Sequence, residues 1–315
     1  MTGETVPPRE HRPAVWQTVA EARRGLEGVA PVVLVPTMGD LHEGHLDLVR
    51  AGLPIGPVVV SVFVNPTQFS PGEDYERYPR RLESDVERLG ELGVHGVFAP
   101  VVDEMYPPGD STRVVAGPVA EPLCGRHREG HFVGVATVCT KLFVVLRPQV
   151  AVFGEKDAQQ CMVLHRLVAD LRFDVDLAFV PTRRETDGLA MSSRNRYLQD
   201  EERHTARALS EALAIGEEVL GTGEREVVTV ESAVTEHLRD RGVDVDYAEL
   251  RRVPDLIHPE RATGRMLLAV AGRVGAARLI DNHCFVIDGH DVRRAPLLDE
   301  HTPEAVRRRW ATETD

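Results

Sequence analysis

The ten residues Pro36-Thr37-Met38-Gly39-Asp40-Leu41-His42-Glu43-Gly44-His45 place two imidazoles three positions apart in a glycine-containing turn. They directly follow the apolar run Pro31 to Pro36 (PVVLVP), which reads as a buried strand, and directly precede Leu46 to Ala51, which reads as helix. A turn from strand end to helix start gathers backbone N–H groups at the positive end of a helix dipole, an arrangement that favours an anion. Gly39 and Gly44 allow close approach of a phosphate chain. His42 and His45 can both point at it, stabilising its charge as imidazolium or as neutral rings donating N–H. A plainer reading stands beside this one, because His-x-x-His also occurs on surfaces and as half a metal site. The zinc version is weakened by the absence of His-Glu-x-x-His spacing, and the turn has no Walker Gly-Lys-Ser/Thr.

Two further clusters suit the same anion. In Gly154-Glu155-Lys156-Asp157 the lysine can reach phosphate, and the aspartate can accept from a ribose hydroxyl or hold a metal; a solvated turn is the alternative. Met191-Ser192-Ser193-Arg194 offers two hydroxyls and a guanidinium, suited to β- and γ-phosphate oxygens, although the run taken alone is an ordinary loop. Asn65, Gln68 and Gln160 are neutral amides able to orient hydroxyls and a carboxylate without adding charge, or else to cap and cross-link backbone.

These groups need a scaffold that brings strand ends together. Val58 to Val64 is a second β-branched run, and Leu82, Val86 and Leu89 recur at helical spacing. Val94 to Ala99 and Val150 to Phe153 read as strands, Val133 to Leu146 and Gln159 to Leu171 as helices, and Val175 to Val180 as a strand. Alternation of this kind predicts a Rossmann-like, doubly wound parallel sheet, with ligands beyond the carboxyl ends of its strands. After about Thr182 the texture changes. Helices are expected over Glu201 to Leu220 and Val227 to Arg241, with strands at Asp244 to Leu250 and Met266 to Ala271. The division predicted is residues 1–182 for the α/β domain, 183–287 for a smaller α+β domain, and 288–315 for a charged, mobile tail with no assigned function.

Composition narrows the possible roles. A net charge of -13 opposes nonspecific attraction to nucleic acid, so any phosphate should be held by a local site. No apolar run approaches the roughly 20 residues that span a bilayer, and the start, Met1 to Arg12, has no apolar segment of a secretory signal. A cytoplasmic protein without membrane or nucleic-acid partners is expected. Cys124, Cys139, Cys161 and Cys284 lack C-x-x-C spacing and read as buried thiols rather than zinc ligands or a disulfide framework.

The decamer resembles the His-x-Gly-His signature of the nucleotidyltransferase superfamily, and in its longer form, PTMGDLHEGH, that of the pantothenate synthetase family. The likeness continues in order through Phe63-Val64-Asn65-Pro66-Thr67-Gln68-Phe69, Gly130-His131-Phe132, Phe153-Gly154-Glu155-Lys156-Asp157 and Met191-Ser192-Ser193-Arg194-Asn195, covering roughly residues 14 to 287. It implies a homodimeric enzyme that uses ATP with Mg²⁺ to adenylate pantoate and then joins the acyl group to β-alanine. By carry-over, Met38, Gly39, Asp40, Leu41, His42, Glu43, Gly44, His45, Gly154, Glu155, Lys156, Asp157, Arg183, Met191, Ser192, Ser193 and Arg194 would line the ATP site. Gln68 and Gln160, with Asn65 nearby, would hold pantoate, and Gln68 would also lie near β-alanine. His45 would be the acid, and His42, Lys156, Ser192, Ser193 and Arg194 would surround the phosphates. No protein ligand of magnesium is assigned. Three positions depart from the pattern: Asp40 where a small or uncharged residue is expected, Glu129 where Pro is common, and Ala158 where an aromatic is usual. Asp40 adds a negative charge beside a triphosphate site. The rivals are a superfamily member that transfers AMP to a phosphorylated acceptor, which would want extra basic groups near Asn65 and Gln68, and a nucleotide sensor without turnover.

Overall fold

The computed structural model describes residues 12–298, so the expectations for residues 1–11 and for tail residues 299–315 fall outside it. A three-residue strand, β1 (Ala14–Trp16), opens the chain and is followed by α1 (Val19–Gly25), whose Thr18 N-cap and Glu21 form a reciprocal capping box. Then come β2 (Val33–Thr37), α2 (Glu43–Gly52), β3 (Val58–Val62), α3 (Leu82–Glu91) and β4 (Gly96–Phe98). After the short α4 (Val102–Met105) and α5 (Cys124–His127), the apolar α6 (His131–Leu146) crosses to β5 (Val150–Gly154), and α7 (Ala158–Leu171) leads to β6 (Asp176–Val180).

All pairings in this sheet are parallel, and its order is β1-β4-β3-β2-β5-β6. Winding runs outward through β3 and β4 on one side of β2 and through β5 and β6 on the other. The direction therefore reverses between β2 and β5, where a crevice opens beyond the strand ends. Alternate side chains separate the two faces: Val33 and Val35 join α2 and α3 in one core, while Leu34 joins α1, α6 and α7 in another. All three are fully buried, each contributing roughly 1.5–3 kcal/mol by leaving water, so the strand reads as a continuous apolar run.

The second unit has α8 (Asp200–Ala206), α9 (Ala208–Gly221) and α10 (Val227–Asp240), then β7 (Asp244–Arg252), β8 (Gly264–Val274), β9 (Ala277–Asp288) and β10 (Asp291–Arg294) in an antiparallel sheet ordered β10-β9-β8-β7. The single helix expected over 201–220 is two segments meeting at Arg207, whose backbone is still right-handed (φ -59°, ψ -24°). This sheet is buried on both faces. Met266, Leu268 and Val270 of β8 pack on α9 and α10, while Leu267, Ala269 and Ala271 join the core of the first unit.

The tail expectation is corrected for the described residues. Asp291–Arg294 pairs with β9, and Leu297 is 1% exposed within the core that includes α6 and α7. A charged strand on a sheet edge and one isolated leucine carry no apolar periodicity, so this docking left no pattern in the sequence. Among the described residues no helix is long and apolar enough to cross a membrane.

Candidate active site

A cavity of about 220 Å³ opens at the carboxyl ends of β2, β3 and β5, roofed by the segment that links the two sheets. Of the expected nucleotide-site residues, Met38, His42, Gly44, His45, Gly154, Lys156, Asp157, Arg183, Met191, Ser192, Ser193 and Arg194 line it. Asn65, Gln68 and Gln160 line it as well. Five expected residues do not. Leu41 is buried in the core of α2 and α3, Glu43 pairs with Arg50 and Arg88, and Glu155 accepts the N–H of Leu297. Gly39, at φ +86°, turns the chain where an added Cβ would meet Val62 and Asp85 at 2.9 and 3.0 Å. Asp40 is ion-paired with Arg196 at 2.7 Å, with 4% of its side chain exposed, so its charge has a partner of its own.

The turn's backbone amides are also committed. The buried carboxylate of Asp85 accepts the N–H groups of Asp40 and Leu41, each at 2.8 Å, and is held above the usual carboxylate range by burial. Gly39 donates to Thr37 Oγ1, His42 to His45 Nδ1, and Gly44 to the sulfur of Met191. The amides of Gly39, Asp40, Leu41, His42 and Gly44 are thus used within the protein, and side chains add further donors beside them. His42 is the N-cap of α2 and His45 stands three residues on, so their rings stack with centroids 3.9 Å apart. Burial, with Lys156 adding to it, lowers the His42 pKa to about 4, and burial followed by the neighbouring His42 lowers that of His45 well below 6.5. Both shifts favour the neutral rings when no anion is bound, the form that donates N–H without carrying charge.

Lys156 follows β5 and lies 3.7 Å from its neighbour Asp157, a loose pair at the cavity wall. Arg194 is fixed by two hydrogen bonds to Asp74, at 3.1 and 2.8 Å. Burial opposes the Arg194 charge, but the Asp74 bonds outweigh it and raise the guanidinium pKa. Ser192 Oγ accepts the N–H of Arg194, and Ser193 Oγ lies 3.5 Å from the hydroxyl of Tyr78. Arg183 reaches Asp47 at 2.8 Å. This wall offers imidazole, ammonium, guanidinium and hydroxyl donors, the set that suits phosphate oxygens.

Neutral amides line the cavity as well, and Arg128 beside Gln68 is balanced by Glu73. Asn65, 1% exposed, donates to Gln68 Oε1 and to Gly134 O, and its Oδ1 accepts from Thr67 and Tyr106. Its capacity is filled by protein, so Asn65 orients Gln68, the cross-linking alternative raised from the sequence. α6 reaches this turn because residue 134 is glycine; an added Cβ would lie 2.3 Å from Thr67 O. Gln68 Nε2 reaches Met38 Sδ at 3.2 Å, while the Gln160 amide makes no hydrogen bond to another described residue. Val135, Val138 and Leu142 of α6 and Phe63 give the cavity its apolar floor.

Sequence reasoning assigned no role to Arg128, His131, Asp74 or Tyr78. His131 Nδ1 lies 2.8 Å from Gln68 O and its Nε2 2.9 Å from Arg128, which only donates, so His131 gives its proton to the Gln68 carbonyl. Burial and then Arg128 lower its pKa to about 4. Arg128 is in turn neutralised by Glu73, at 2.7 Å from both Nε and Nη2. The Gly130-His131-Phe132 motif marked this region, but a pairing across 63 positions leaves no local signal. Among the described residues, no group of three or more His, Cys, Asp or Glu side chains is arranged to hold a metal ion.

Residues 11–284 match the profile of the pantoate–β-alanine ligase family. A pantothenate synthetase of Carboxydothermus hydrogenoformans is 50% identical over 273 residues, covering 86% of this chain and 95% of that one. The pantothenate synthetase of Thermotoga neapolitana is 53% identical over 250 residues, covering 79% and 89%. Among solved structures, the pantothenate synthetase of Thermus thermophilus superposes with a TM-score of 0.82 at 49% identity, covering 85% of this chain and 98% of that one. The Francisella tularensis ligase, complexed with beta-gamma ATP and beta-alanine, gives 0.72 at 30% identity, with 86% and 97% covered. The likeness read from five short motifs thus extends through both sheets, and this chain belongs to the pantoate–β-alanine ligase family.

Proposed function

We propose that the cavity joins pantoate to β-alanine in two steps, through a pantoyl adenylate held among its phosphate-suited donors and its neutral amides. Family membership makes the chain an ATP-dependent ligase. The intermediate and the residue roles are inferred from the side chains that line the cavity. A carboxylate oxygen is a poor leaving group, so the acid must be activated before an amine can displace it. In the first step a pantoate carboxylate oxygen attacks the α-phosphorus, the bond to the β-phosphate oxygen breaks, and pyrophosphate leaves. In the second, the neutral amine of β-alanine attacks the acyl carbon, the C–N bond forms, the C–O bond to AMP breaks, and one amine proton is released.

The observation that carries this reading is the mixed chemistry of one lining. His42, His45, Lys156, Ser192, Ser193 and Arg194 line the same cavity as Gln68, Gln160 and the apolar side chains of Val135, Val138 and Leu142. Donors fixed before the reaction stabilise charge on the departing pyrophosphate without reorganisation. Neutral amides orient the hydroxyls and carboxylate of pantoate without drawing the triphosphate across the cavity. A phosphorylated acceptor would want an uncompensated cation near Gln68, and Arg128, the cation nearest to it, is tied to Glu73.

Magnesium enters this reading as part of the nucleotide substrate, charge-neutralising its phosphates, with Asp157 the carboxylate on the cavity wall best placed to meet it. The family resemblance supports a homodimer, to be checked by sedimentation, and the need for ATP supports a cytoplasmic setting. The test is isotope exchange. Labelled pyrophosphate should pass into ATP with pantoate and Mg²⁺ present and β-alanine absent, and not without pantoate. Exchange that requires β-alanine would contradict a separate adenylate.

A further inference from the structure

Two of the loops that carry the phosphate-facing groups, the turn holding Lys156 and the segment from Arg183 to Arg194, are both gripped by one dipeptide of the second sheet. On β9 the carboxylate of Asp281, 1% exposed, takes both terminal nitrogens of Arg184 at 2.6 and 2.9 Å. Its neighbour Asn282 is buried and divides its Nδ2 hydrogens between the carbonyls of Glu155, at 3.0 Å, and Lys156, at 2.9 Å. The backbone N–H of Asn282 is itself held by Asp281 at 2.8 Å. The segment after β10 adds a third tie, from the Leu297 N–H to Glu155 Oε1 at 2.8 Å.

A buried amide is costly in a sheet unless its hydrogens are used, and an apolar side chain would fill this position on β9 as well. What the amide supplies is orientation. Fixing the carbonyls of two consecutive residues fixes the turn between β5 and α7, and with it the direction in which Lys156 leaves the backbone. We propose that Asn282 is a positioning residue for Lys156, and that with Asp281 it registers the Lys156 turn against the Arg183 to Arg194 segment. The second sheet then sets the spacing of donors contributed by two separate loops. This rests on the reading of Lys156 as a phosphate ligand given above. A misplacement of about 1 Å in such a donor can cost on the order of a hundredfold in rate.

The experiment is pantoate-dependent exchange of labelled pyrophosphate into ATP, run on Lys156→Ala, Asn282→Ala, Asn282→Leu and the Lys156→Ala/Asn282→Ala double variant. Leucine keeps most of the side-chain volume without a donor and serves if the alanine variant does not fold; melting curves establish the folded state. Each folded Asn282 variant should lose about tenfold or more in kcat for exchange. Its KM for β-alanine in the overall reaction should stay unchanged. The double variant should lie within about twofold of Lys156→Ala, because residues acting as a unit are not additive. Normal exchange in a folded Asn282 variant, a loss appearing only in KM for β-alanine, or full multiplication of the two single losses overturns the proposal and leaves the role of Lys156 intact. Unchanged exchange in Lys156→Ala overturns the underlying reading instead.

Discussion

His42 gives its backbone N–H to Nδ1 of His45 at 3.3 Å. An amide N–H can only donate, so that nitrogen is bare and the His45 proton sits on Nε2. One hydrogen bond inside the turn thereby fixes which face of a buried ring is the donor. It also explains how a ring held neutral by burial can serve a charge-separating step, by offering a fixed N–H where negative charge builds.

Removing either of two such donors should be costly. His45→Ala and Lys156→Ala are each expected to lower steady-state turnover by about a hundredfold or more, the scale for loss of one preorganised donor. Both variants should also lose pyrophosphate exchange. Folded variants with near-normal turnover would remove these residues from the chemistry.

Asp40 tests charge balance beside the phosphates. Arg196→Ala leaves a nearly buried carboxylate behind the cavity lining without its ion-pair partner, and the KM for ATP should rise several-fold because its unbalanced negative charge repels the phosphates through the turn. Adding Asp40→Asn should bring KM back, since asparagine tolerates the positive φ of 53° found there. If the second substitution rescues nothing, Asp40 does not act through its charge.

Stability should fall in mild acid. His42 and His131 have pKa values of about 4 and His283 of about 3, all below the ordinary 6.5, because burial disfavours their charged forms. The unfolded chain therefore binds more protons between those values. Stability is complete above about pH 6.5 and is lost as pH falls toward 4, by on the order of 1 kcal/mol per group per pH unit. Calorimetry between pH 7.5 and 4.5 should show a melting temperature that is level at the top of the range and declines below about pH 6.5; a profile that stays flat from about pH 6 down to 4.5 would contradict the neutral buried histidines.

Leu297 gives a test of the docked segment after β10. Leu297→Ala should destabilise the protein by about 2–5 kcal/mol, as for other buried leucines, and lower the denaturant midpoint. An unchanged midpoint would mean that the segment does not pack in solution.

The chemistry-bearing residue types were legible in the sequence because phosphate recognition uses few side chains, clustered at strand ends. β2 was legible for a related reason, since burial on both faces leaves an unbroken Val-Leu-Val run. β9 was not, because Asp281, Asn282 and His283 interrupt its apolar alternation to make long-range contacts. Nor could sequence adjacency tell Met38, which faces the cavity, from Leu41, which faces the core. The direction of each side chain there follows from Asp85, forty-four positions beyond Leu41.

Asp85 also bears on how the site can change. Because its carboxylate holds the histidine turn without any ligand, the ordering entropy of that turn is spent in folding rather than in binding. Ancestral drift in acyl specificity could then proceed around Gln68, one amide or aliphatic at a time, while the phosphate chemistry stayed fixed.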